Sequence, residues 1–207
     1  MSGFKLLNGC GGLGGNVHRL PDHVQVTTVE HNPKIAAVNQ RIHPGHTVVV
    51  GDAYQYLLDH AGEFDGVWFS PNCQSHTKMM KYTRHKLKRY PDMDLYKVII
   101  WLDNFYHGKW VVENVVPYYE PLIKPTRQIG RHLFWSNFDF EAEDVKRPKD
   151  FINSTNLAGK KALMDFHDLH YEENIYYDGN HCPAQILRNC VHWKLGLQIF
   201  KQMEQLR

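Results

Sequence analysis

No uninterrupted apolar stretch in the 207 residues is long enough to span a bilayer, and the amino terminus carries no secretory pattern. Cysteine is scarce. The four present, Cys10, Cys73, Cys182 and Cys190, lie far apart, which argues against a disulfide framework and for a reducing interior, so a cytoplasmic protein is expected. His181-Cys182 and Cys190-Val191-His192 lack the tight C-x-x-C spacing of a structural zinc site, so no metal is expected. Excess charge is also missing: 24 Lys and Arg against 22 Asp and Glu leave +2. Any argument for a polyanionic partner must therefore come from local clustering. Histidine, at 14 residues, is plentiful, and most are expected on the surface or satisfied in the core. The length suits one domain with one sizeable core.

The chain starts on a predicted strand, Phe4 to Leu7, that runs into Asn8-Gly9-Cys10-Gly11-Gly12-Leu13-Gly14-Gly15. Gly9, Gly11 and Gly14 have the spacing of a dinucleotide-binding turn, where missing side chains let backbone amides approach a ligand. The flanking context agrees. A second alternating strand, Val24 to Val29, ends in Glu30, placed where an acid can accept from both hydroxyls of a ribose. Pro33 opens a helix through roughly Arg41, Thr47 to Val50 forms a third strand, and Ala53 to His60 the next helix. Asp52, between the last two, can accept from an adenine amino group or cap the helix that follows, and both readings stay open. Strands and helices in alternation imply a mostly parallel α/β sheet with right-handed crossovers and helices on both faces.

The most informative stretch is Phe64 to Ser75. An apolar run between Gly66 and Pro71 reads as a buried strand that stops abruptly and delivers Cys73 to the loop beyond, at the sheet edge where α/β proteins bind ligands. A cysteine so placed is either an inert core residue or a nucleophile. The loop that follows has no acidic residue until Asp92. It carries Lys78, Lys81, Arg84, Lys86, Lys88 and Arg89 interleaved with Tyr82, His85 and Tyr90, a pattern suited to phosphate contacts.

A helix from roughly Met93 to His107 leads to the apolar strand Lys109 to Val115, which brings Glu113 to the same edge. A buried carboxyl there is expected to hold its proton and offer it to a heterocycle nitrogen, or else to cap the turn at Asn114. Pro117 to Ile123 predicts a short helix, and Gly130 to Phe138 a strand with Arg131 at its start. The guanidinium suits a carbonyl oxygen or a phosphate. Residues 139–180 read as loops with one short helix. Trp193, Leu197, Phe200 and Met203 recur at helical spacing, so the chain ends in a helix packed on the domain.

In order, the glycine loop Gly9 to Gly12, Val29-Glu30-His31, Gly51-Asp52-Ala53, Ser70-Pro71-Asn72-Cys73-Gln74, Glu113-Asn114-Val115, the Arg131 strand and Asn189-Cys190-Val191 resemble the DNA (cytosine-5) methyltransferase family. The resemblance implies a Rossmann-like methyltransferase fold. It also implies S-adenosyl-L-methionine held by Asn8, Gly9, Gly11, Gly12, Leu13, Glu30, His31, Asp52 and Ala53, with Asn189 and Val191 closing the site. Cys73 would be the nucleophile toward carbon 6 of a flipped-out cytosine, Glu113 would engage the ring nitrogen, and Arg131 the carbonyl oxygen. Gln74, Ser75, Lys78, Lys81 and Arg84 would contact DNA.

The chain departs from that family at Leu7-Asn8, where a phenylalanine is usual, at Asn72, where a second proline is usual, and at Arg127 and Ile129 in the Gln-x-Arg-x-Arg strand. The layout implied is a catalytic core at 1–138, a reduced recognition or insert region at 139–180, and a segment at 181–207 that completes the core. So short an insert leads us to expect low specificity or a partner protein that supplies recognition, as would suit a phage or bacterial enzyme. The competing readings are an RNA cytosine-5 methyltransferase, a nicotinamide oxidoreductase, which leaves Cys73 and Glu113 without roles, and a non-catalytic nucleic-acid-binding protein.

Overall fold

The computed structural model describes residues 3–78, 90–148, 157–176 and 182–207. Seven strands form one sheet in the order β3-β2-β1-β4-β5-β7-β6. β1 (Phe4–Gly9), β2 (Val24–Glu30), β3 (Thr47–Val50), β4 (Gly66–Phe69) and β5 (Lys109–Val115) run parallel. β7 (His132–Ser136) is antiparallel to β5, and β6 (Arg127–Ile129) is antiparallel to β7. Strand order reverses between β1 and β4, and the crevice at the carboxyl ends of those two strands is where a ligand site is expected.

Side-chain alternation sorts each strand between two faces. Phe4 and Leu6 of β1, Trp68 of β4 and Val111 of β5 pack with Leu195, Ile199, Phe200 and Met203 of α6 (Trp193–Gln205). Leu7, Val67, Phe69, Trp110 and Val112 turn the other way, against α2 (Ala53–His60) and α3 (Asp94–Phe105). Helices therefore cover both faces. Burying each of Ile199, Phe200 and Met203, at most 1% exposed, contributes about 1.5–3 kcal/mol. The end of the chain thus covers the middle of the sheet. Gly196 makes that approach possible, because a Cβ there would stand 2.0 Å from the Asn16 carbonyl oxygen. His192 starts α6: its Nδ1 accepts from the Lys194 amide at 3.1 Å, and its Nε2 donates to the Phe166 carbonyl at 2.9 Å.

A third cluster joins Leu13 of the glycine loop to Ile35 and Val38 of α1 (Pro33–Ile42), Leu163 of α4 (Leu157–His167) and Leu187 of α5 (Gln185–Arg188). The described part of 139–180 therefore shares core with the sheet domain. Lys160 of α4 ties down the segment after it, donating to the Glu172 and Glu173 carbonyls at 3.2 and 2.7 Å.

Two predicted elements differ. Pro117 to Ile123 forms no helix. Pro117 instead bridges Thr77, the Tyr118 amide donates to the His76 carbonyl at 3.0 Å, and Tyr119 Oη meets His76 Nδ1 at 2.6 Å, so the stretch braces the loop after Cys73. The strand predicted over Gly130 to Phe138 is a hairpin arm, with Gly130 and Arg131 in the turn between β6 and β7, Gly130 at φ 55°. No helix among the described residues is long and apolar enough to cross a membrane.

Candidate active site

A cavity of about 590 Å³ opens at the carboxyl ends of β1, β2, β4 and β5, within the range of sites for small ligands. One wall is backbone. Gly11, Gly12 and Leu13 line it together with Glu30 and His31. Gly11 is tightly seated, since a Cβ there would meet Asn8 Nδ2 at 2.4 Å and Thr28 Cγ2 at 2.5 Å. Glu30, 5% exposed, holds the loop: Oε2 accepts from the Gly12 amide at 3.0 Å, Oε1 accepts from the Asn32 amide at 2.9 Å, and His31 Nδ1 stands 3.1 Å from Oε1. The Asn39 side chain donates to the Gly12 carbonyl at 2.7 Å.

Cys73, Gln74, Glu113 and Arg131 line the opposite wall. Cys73 follows β4, whose line is extended by the Ser70 amide donating to the Gly9 carbonyl at 3.0 Å. The loop is pinned from β5, where Asn114 Nδ2 donates to the Pro71 carbonyl at 3.0 Å, and the Cys73 carbonyl accepts from the amides of His76 and Thr77, both at 3.1 Å. Asn189 and Val191 also line the cavity, and Asn189 Oδ1 lies 4.0 Å from Cys73 Sγ.

Glu113 is 5% exposed, as is His132, and Glu113 Oε1 stands 2.5 Å from His132 Nδ1. The antiparallel register explains the pair. Val115 lies opposite His132 and Glu113 opposite Phe134, so Glu113 and His132 are diagonal neighbours on one face. Arg131 donates from Nε to His132 Nε2 at 3.2 Å and from Nη2 to the Arg188 carbonyl.

Electrostatics separates the three cysteines that line the cavity. Burial, reinforced by the Glu113 carboxylate and partly offset by the Arg131 guanidinium, pushes the Cys73 thiol up to about 11. Burial pushes Cys190 up to about 12, and Cys10 is raised further, by burial and by Glu30 and Asp52. Cys73 is thus the most acidic of the three, but it remains a thiol near neutral pH until a ligand or base takes its proton.

Several sequence-predicted residues lie outside the lining. Asn8 is buried beneath the loop, its Oδ1 accepting from Asn16 at 2.9 Å and its Nδ2 donating to Thr28 Oγ1 at 3.3 Å. Gly9 and Ala53 do not reach the cavity. Asp52 Oδ1 caps α2, accepting from the amides of Tyr54 and Gln55 at 2.8 and 3.1 Å. Ser75 Oγ accepts from the Asp92 amide at 3.1 Å, and Lys78 is exposed. Lys81 and Arg84, like the rest of the basic run at 79–89 and His181, lie outside the described residues. The cavity adds Cys10, Lys34, His132, Tyr176 and Ile186. Of these only Cys10, inside the glycine loop, had a local sequence signal. Among the described residues no group of three His, Cys, Asp or Glu side chains is placed to hold a metal.

No protein-family model matches the sequence, and no curated protein matches it. Among solved structures, the Entamoeba histolytica methyltransferase EhMeth aligns over 100% of both chains with a TM-score of 0.60 and 11% identity. A conserved hypothetical protein of Streptococcus pyogenes aligns at 0.44 and 16% over 66% of this chain and 86% of that one, and Spodoptera frugiperda DNMT2 at 0.37 and 21% over 54% and 35%. Strand order, crevice and the full-length EhMeth alignment together give the chain a Rossmann-like fold, a mostly parallel sheet with helices on both faces, similar to that of the methyltransferase EhMeth.

Proposed function

We propose that this chain transfers a methyl group from S-adenosylmethionine to carbon 5 of cytosine in DNA, through a transient bond between Cys73 and carbon 6 of a flipped-out base. The observation that carries the reading is that Cys73, Glu113 and Arg131 line the same cavity as the Gly11–Leu13 backbone and Glu30.

The glycine wall fits the cofactor. Gly11 lets the loop backbone sit directly on Asn8 and Thr28, Gly12 has open space where a Cβ would stand, and Glu30, anchored through both oxygens, retains lone pairs for ribose hydroxyls. The cofactor, when bound, supplies a methyl group electrophilic enough for carbon 5 to take. This chain's residues make that carbon nucleophilic. Cys73 gives up its thiol proton to solvent and its sulfur adds to carbon 6, while Glu113, in its acid form, lends a proton to the ring nitrogen that receives the displaced electron pair and Arg131 holds the carbonyl oxygen. Once carbon 5 carries the methyl group, the ring nitrogen returns its proton to Glu113, the carbon 5 proton passes to water, and breakage of the sulfur–carbon 6 bond restores the aromatic ring and returns the thiolate.

In this reading Gln74, Ser75, Lys78, Lys81 and Arg84 meet the DNA backbone as the base is turned out, and residues 139–180 serve as a reduced recognition region beside the core. Incubation with labelled cofactor and DNA containing 5-fluorocytosine, which blocks the final proton loss, is expected to give a stable adduct mapped by mass spectrometry to Cys73. Label entering RNA alone, or an adduct at another residue, overturns the proposal.

A further inference from the structure

The pair formed by Glu113 and His132 has no counterpart in the steps above, and its geometry fixes where one proton sits. Arg131 Nε always carries hydrogen, and it donates to His132 Nε2 at 3.2 Å. That ring nitrogen must therefore present a lone pair, so the ring's proton resides on Nδ1. His132 Nδ1 then donates to Glu113 Oε1 at 2.5 Å. Both partners are buried, so water does not compete for these bonds. Glu113 Oε2 has no hydrogen-bond partner among the described residues, and Glu113 lines the cavity.

We propose that His132 is a positioning residue: held neutral and protonated at Nδ1 by Arg131, it occupies Glu113 Oε1 and leaves Oε2 as the one oxygen that addresses the ligand. This inference rests on the function proposed above for the role of Glu113, but the tautomer does not. A ring held this way transmits the placement of Arg131 to the carboxyl, so the two groups expected at the base, one at the ring nitrogen and one at the carbonyl oxygen, are set by a single imidazole. The free imidazole prefers its proton on Nε2, so the Nδ1 form is a signature of the paired contacts to Arg131 and Glu113.

Two measurements test the inference. Nitrogen-15 spectra of the ring-labelled full chain, with the His132 signals identified by their loss in His132→Asn, are expected to show protonated Nδ1 and unprotonated Nε2. A protonated Nε2 overturns the proposal whether or not the chain methylates DNA. In single-turnover methyl transfer, His132→Phe keeps a flat aromatic ring, somewhat larger than imidazole, but no polar atom, and is expected to lower the rate about 30-fold or more with cofactor affinity within threefold of wild type. His132→Asn, whose amide can donate at the Nδ1 position, is expected to recover most of the rate. Equal loss in both variants, or loss in neither, overturns the positioning role. If His132→Phe does not fold, the spectra and His132→Asn decide. A wild type silent on every cytosine substrate, with the Nδ1 signature present, rejects the proposed reaction and leaves the tautomer standing.

Discussion

On the β1–β2 side of the cavity, the polar side chains in and behind the wall are committed to the protein itself: Glu30, in the lining, to the amides of Gly12 and Asn32, and behind it Asn8 to Asn16 and Thr28, and Asp52, after β3, to the first turn of α2. On the β4–β5–β7 side, Cys73, Glu113, Arg131 and His132 are buried or half-buried and act on one another, with Glu113 raising the Cys73 thiol and Arg131 lowering it. The first wall spends its hydrogen bonds on a fixed backbone surface. The second keeps ionisable groups close together at an energetic cost, which is what reactive groups require. Substitutions on the first wall should therefore cost binding and stability, and on the second, rate.

The largest contrast is expected from Cys73→Ser. Methyl transfer should fall more than about 10³-fold, while cofactor and DNA binding, followed by calorimetry and gel shift, stay near wild type. A variant that still transfers removes Cys73 from the reactive wall. Glu30→Ala tests the other wall. Loss of a carboxylate that organises two backbone amides is expected to weaken cofactor binding on the order of 10–100-fold, at about 1.5–3 kcal/mol for hydrogen bonds to a charged group, with a lowered melting temperature. Unchanged affinity by titration calorimetry would separate Glu30 from the ligand.

The raised Cys73 thiol supplies a pH test. Because the folded-state value lies near 11 and the ordinary value is 9.0, an unfolded chain holds fewer protons than the folded one between these limits. Stability contributed at Cys73 is therefore complete below about pH 9 and declines as pH rises toward 11. The alkylation rate of Cys73 in the free protein, read by mass spectrometry, should climb about tenfold per pH unit from 8 to 10. A plateau near pH 8 would mean that the site already holds a thiolate. The smallest effect is expected for Asp52→Ala. Loss of the α2 cap should cost about 1 kcal/mol and leave cofactor affinity within twofold, whereas a larger fall in affinity would return Asp52 to the cofactor's adenine.

The parallel half was legible because its strands are apolar runs closed by glycine, proline or an acid, and because Pro33 marks the start of one helix and Asp52, in one of its two open readings, the cap of the next. The Cys73 and Glu113 edge followed from the same rule. What sequence could not supply was antiparallel register. β6 is only Arg127–Ile129, too short for alternation to be seen, and Gly130-Arg131 looks like the beginning of a strand until a partner turns it into a hairpin. His132 stayed unnoticed for that reason, since its pairing with Glu113 exists only once β7 lies against β5. The aromatic stretch Pro117-Tyr118-Tyr119 misled in another way: its spacing imitates a helical turn, but its backbone and hydroxyl groups are taken up by His76.

The packing of α6 against the sheet's centre has a consequence for synthesis. Phe4 meets Phe200 edge to face at 5.2 Å, and Glu204 and Arg207 bond back to His23 and Asp65. A nascent chain that has completed all seven strands still lacks the cover that α6 gives Phe4, Trp68 and Val111, and that surface closes only once α6 has been made. Asn189 and Val191, just upstream, come into place in the same closing step. On the ribosome, the pocket and the protection of its supporting face therefore arrive together, after the sheet.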